Sequence, residues 1–91
     1  MAINMTNINK ETLAVIGFNE TQDKYVKEIN PEFVEYVHEN LRFILHNYGY
    51  RNLSNNSYTL HIDNSDMNTI ANCEVEYIEQ IQTLIELYKN Y

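Results

Sequence analysis

With 91 residues, 44% of them hydrophobic and 21% charged, the chain has the composition of one folded domain spanning 1–91, and is too short for two cores. Six Lys and Arg stand against 13 Asp and Glu, a formal net charge of −7. That leaves too little positive charge to build the counterion-displacing face of a nucleic-acid binder or a patch that docks on anionic lipid.

Residues 9–18 read as a short helix. Asn9 has the side chain of an N-cap, Glu11 suits the first turn, and Gly17 suits a left-handed stop. Leu13, Ile16 and Phe18 are its candidate core residues. Between Lys24 and Ile29, Tyr25 and Ile29 share one side at period two, and Asn30-Pro31 then breaks the run.

Residues 31–48 admit two readings. Phe33, Val34, Val37, Leu41, Ile44, Leu45 and Tyr48 fit a helical stripe behind Pro31. The same residues are rich in β-branched and aromatic types, with His38-Glu39-Asn40 as a turn, and the hairpin is the favoured expectation. A polar loop follows from Asn52 to Ser57. Tyr58, Leu60 and Ile62 then alternate with Thr59 and His61, the clearest strand pattern in the chain. Asp63 to Asp66 form a turn, and Met67 to Cys73 suit one more strand.

From Val75 to Lys89 the period becomes helical. Val75, Ile78, Ile81, Leu84, Ile85 and Tyr88 form the apolar stripe, with Glu76, Glu79, Gln80, Thr83 and Glu86 away from it. The expected architecture is α+β: a short N-terminal helix, an antiparallel β-meander and a long C-terminal helix packed on the sheet.

The Leu13 to Phe18 element, Tyr58 to Asp63 and Val75 to Ile85 together resemble small uncharacterised phage and prophage proteins. These are hydrophobic packing signals covering about half the chain, and they carry no catalytic residue across. The resemblance implies a mobile-element context, in which small acidic proteins bind and inhibit host proteins.

No enzymatic constellation is written here. Gly17 and Gly49 are the only glycines and lie too far apart for a phosphate loop. His46, His61 and Asp63 would meet on neighbouring strands of the hairpin reading, yet no short metal-ligand spacing accompanies them, and solvent-facing strand residues explain them as well. Cys73 is flanked by Asn72 and Glu74, and negative charge disfavours a reactive thiolate, so a structural thiol is expected. No cofactor is implied. As the only cysteine it permits no internal disulfide, and Met1 to Met5 lack the basic start of a signal peptide, so a cytoplasmic location in a bacterial host is expected.

Two features suit binding. Six carboxylates (Asp63, Asp66, Glu74, Glu76, Glu79 and Glu86) against Lys89 make the last third one-sidedly acidic, so Glu76, Glu79 and Glu86 are candidates to meet a basic surface on a host protein. Tyr48, Tyr50, Arg51 and Asn52 form a second candidate contact, since Tyr offers a large area with little entropy to lose. The expected role is an anti-defence-like inhibitor or modulator, with homodimerisation covering a sheet edge. The alternative is an oligomeric sponge or sensor holding a nucleotide-like molecule on Tyr50, Arg51 and Asn52, with phosphate resting on Lys24, Lys27, Arg42 or Arg51.

Overall fold

Reciprocal hydrogen bonds close the first helix before any tertiary contact is needed. In the computed structural model, which describes residues 5–21, 33–48 and 58–91, α1 spans Lys10–Val15. The Asn9 side chain accepts from the Thr12 amide at 2.9 Å, and the Thr12 hydroxyl accepts from the Asn9 amide at 3.0 Å. Gly17, at φ +95°, stops the helix where the sequence places its stop.

Phe18 belongs to a strand rather than to the helix. Strand β1 (Phe18–Glu20) pairs antiparallel with β2 (Phe33–His38), which forms a hairpin with β3 (Phe43–Tyr48). The helical reading of 31–48 is therefore overturned in favour of the hairpin. The register Val37 with Ile44 and Tyr36 with Leu45 buries Tyr36, His38, Phe43 and Leu45 at period two, which a helix cannot do. The period-two pattern of Lys24 to Ile29 lies outside the described residues.

Strands β4 (Tyr58–Asp63) and β5 (Thr69–Val75) complete a five-stranded antiparallel meander in the order β1-β2-β3-β4-β5. Leu60 and Ile62 are fully buried, while Thr59 and His61 take the other face, as the alternation predicts. The β4–β5 turn is wider than the sequence suggests. Asn64 Oδ1 accepts from the amides of Asp66 at 2.9 Å and Asn68 at 3.0 Å, and Met67 takes a positive φ. That delays the strand to Thr69, and the register shifts between Ile62 and Asp63.

Helix α2 covers Ile78–Tyr88, three residues shorter at its start than the apolar stripe implies, because Val75 ends β5. Gln80 sets the boundary: its Oε1 accepts from the amides of Glu76 at 2.7 Å and Tyr77 at 3.0 Å, two donors that precede the helix. Ile78 and Ile81 join one buried apolar cluster with Leu13, Phe18, Phe43, Leu45, Leu60, Ile62 and Val75. Cys73 is a free thiol partly buried against that cluster. No helix among the described residues is long and apolar enough to cross a membrane.

Candidate functional site

The three glutamates do not form one free face. Glu76 precedes α2 and is exposed. Glu79 and Glu86 lie seven residues apart with Gln82 between them, a spacing that puts all three on one flank of α2. Both carboxylates already have partners. Glu79 Oε1 accepts from the Thr6 amide at 2.6 Å, and this hydrogen bond holds its carboxyl below the usual carboxylate range. Glu86 meets Lys89 at 2.7 Å, an exposed pair within one helix that contributes little to stability.

The second candidate contact is separated from the first. Tyr48 closes β3 in register with Phe33, whereas Tyr50, Arg51 and Asn52 lie outside the described residues. Lys24 and Lys27 lie outside them too. The guanidinium of Arg42, one of the candidate phosphate ligands, donates to the carbonyls of Lys89 and Tyr91 just beyond α2.

On the sheet face away from the core, the register Ile44 with His61 and His46 with Thr59 places the two histidines diagonally on neighbouring strands. His61 Nε2 meets Asp63 Oδ1 at 2.9 Å and Thr69 Oγ1 at 3.1 Å, and His61 Nδ1 meets Asn72 Oδ1 at 3.0 Å. Both ring nitrogens are thereby occupied in tying β4 to β5 across the register shift. Burial, and then the neighbouring His61, push the His46 imidazole below its ordinary range. Among the described residues no group of three or more His, Cys, Asp or Glu is arranged to hold a metal ion.

Between α1 and α2 the surface opens into two adjoining hollows that sequence reasoning missed. One, of about 360 Å³, is lined by Val15, Ile16, His38, Gln82, Ile85 and Glu86. The other, of about 240 Å³, shares Val15, Ile16 and Gln82 and reaches Thr12, Ile78 and Glu79. The wall from α1 includes Val15, which is 85% exposed. The only hint in the sequence is that Val15 and Ile16 together give α1 more apolar surface than one core-facing stripe requires.

His38 forms part of that wall. It is only 8% exposed, and its ring lies edge-on to Phe18 and Phe43. Its Nδ1 accepts from the Asn40 amide at 3.0 Å, which puts the proton of the neutral ring on Nε2. Gly17 gives the ring its space, since a Cβ there would come within 3.2 Å of Nε2. Comparison of the chain with protein-family models, curated proteins and solved structures finds no match.

Proposed function

We propose that this chain is a small acidic binding protein, of the kind carried by phages and mobile elements, that inhibits or modulates a bacterial host protein through a basic surface on that protein. The carrying observation is the row Glu79, Gln82, Glu86 on one flank of α2, in which the hydrogen bond from the Thr6 amide favours the charged form of Glu79. The reading takes α2 as packed on the inner face of the sheet. Ile78 and Ile81 support this by sharing a buried cluster with Leu45, Leu60 and Ile62, which turns the Glu79 flank outward. Self-association belongs to the same proposal: β5 ends the strand order, and an edge strand offers backbone donors and acceptors to a second copy. The nucleotide-binding alternative draws no support from Arg42, whose guanidinium is engaged.

The test begins with crosslinking capture from bacterial lysate to identify the partner. Stopped-flow association is then measured with the purified pair. Replacing Glu76, Glu79 and Glu86 together by Gln should slow association about tenfold at low salt, with the difference shrinking as ionic strength rises. Equal rates for the two proteins at low salt would reduce the acidic flank to a solubility feature.

A further inference from the structure

The two edge strands of the sheet are not protected alike. β1 is three residues long, which gives a foreign strand little to pair with. β5 runs for seven residues, Thr69–Val75, and carries no Lys, Arg or Pro. Among the described residues it pairs with β4 on one side only. Two features bound the regular part of this edge. At its start Ile62 pairs with Ala71 and Asp63 with Thr69, so Ile70 has no residue opposite it. Beyond its end Tyr77 makes an isolated bridge to Asn7. Between these, Ala71 to Val75 keep an unbroken register with β4.

That regular stretch is complementary to its own reverse. An antiparallel copy laid with Cys73 opposite Cys73 sets Ala71 opposite Val75 and Asn72 opposite Glu74. Ala71, Cys73 and Val75 belong to the face that joins the core cluster, whereas Asn72 and Glu74 are exposed on the other, so the faces agree at every pair. The polar pair is matched chemically as well. Asn72 Oδ1 meets His61 Nδ1 at 3.0 Å, which leaves the amide Nδ2 as a donor. Glu74, an acceptor, has neither a hydrogen bond nor an ion pair among the described residues. Neighbouring alignments lose this match. Centring on Asn72 places the Glu74 charge opposite Ile70, and centring on Glu74 sets two carboxylates face to face.

We infer that a second copy of this chain pairs with β5, antiparallel about a two-fold axis at Cys73, and joins two five-stranded sheets into one of ten strands. Asn72 of each copy donates to the partner's Glu74, and the two Cys73 residues stand opposite each other across the axis. Such an interface uses the same surface twice, so it closes at two copies and leaves no long edge open. This inference rests on the self-association within the proposed function and deepens it, because it fixes the surface and the register.

Sedimentation equilibrium of the full chain supplies the dimer constant. Asn72→Glu sets a carboxylate opposite each Glu74 and should weaken the dimer about tenfold, whereas Asn72→Lys should strengthen it. Gln82→Lys, at an exposed position on α2, makes the same change in net charge away from β5 and should have a smaller effect than Asn72→Lys. The register is read by crosslinking in a Cys73→Ala background, with Asn72→Cys and Glu74→Cys placed at exposed positions. Residues directly opposite in an antiparallel pair have Cα atoms about 4.5–5.5 Å apart, within reach of a disulfide. A mixture of the two variants treated with a mild thiol oxidant should therefore form covalent dimer about tenfold faster than either variant alone. Equal rates alone and mixed, a shift in the same direction for Glu and Lys at position 72, or monomer alone for the parent chain would each overturn the assignment. The two readings fail separately. A heavier species without this crosslinking pattern removes only the β5 pairing, and salt-insensitive partner association removes only the acidic-encounter role.

Discussion

The amide of Thr6 donates to the carboxylate of Glu79 across 73 positions of sequence, and one residue further the Asn7–Tyr77 bridge continues the contact. The Ile78 amide donates to the Thr6 carbonyl at 3.0 Å, so the segment before α1 satisfies an early donor of α2 while Glu79 satisfies one of its own. The start of the chain thus sutures the strand-to-helix junction, and one of the candidate binding glutamates is part of the suture.

That bond has a pH signature. The folded-state pKa of Glu79 lies below its unfolded value near 4.5, so its contribution is fully present above that pH and is lost as pH falls through the folded value. Thermal melts should show Glu79→Gln less stable than the parent at pH 7, with the gap closing on acidification below 4.5. A gap that is constant with pH would mean the carboxylate charge contributes nothing to the junction.

Ile81 is fully buried, and truncating it removes contacts shared by the helix and the strands. Ile81→Ala should cost about 2–5 kcal/mol in urea denaturation. Leu87, 60% exposed on the same helix, should change stability by less than about 0.5 kcal/mol when replaced by Ala. Similar costs at both sites would show that the apolar stripe has been assigned to the wrong side.

Gly17 combines a positive φ with contact distances of 3.2 Å from a Cβ position to the Glu39 and His38 side chains. Gly17→Ala should therefore destabilise by about 1 kcal/mol or more, against the small gain that Ala brings at an unstrained position. Because the crowding falls on the His38 ring, the ring nitrogen resonances should move as well.

Arg42, in the β2–β3 turn, donates to the carbonyls of Lys89 and Tyr91 and ties the end of α2 to the sheet. Arg42→Ala should cost about 1–3 kcal/mol, as expected for hydrogen bonds from a charged donor. Amide exchange should accelerate first at Leu87 to Tyr91. Unchanged exchange there would show that the last turn is held by Tyr88 and its neighbours alone.

Self-association should be visible by sedimentation at micromolar concentration as a species heavier than the monomer. Pro at Asn72, on the edge strand, tests whether β5 carries the contact, since Pro removes a backbone donor. Monomer alone at that concentration removes the dimer from the functional proposal.

What could be read from the sequence was local. The Asn9 cap, the Gly17 stop, the alternation of Tyr58 to Ile62 and the helical stripe after Val75 are set by residues within a few positions of one another. The hairpin of β2 and β3 was legible for the same reason, although a competing helical stripe runs through the same residues until Tyr36 and Leu45 are seen in register. Strand β1 escaped because three residues carry no usable period, and Phe18 becomes a strand residue only through its register with His38. The candidate site was the least legible part. Glu79 and Arg42 look like free surface charges along the chain, and each is committed by a backbone group more than forty positions away. The hollow between α1 and α2 likewise exists only once the strands have brought Ile16, His38 and Ile85 together. Short-range periodicity decides which segments become helix or strand, whereas hydrogen-bond commitments and hollows depend on contacts whose chain-closure entropy only the assembled fold offsets.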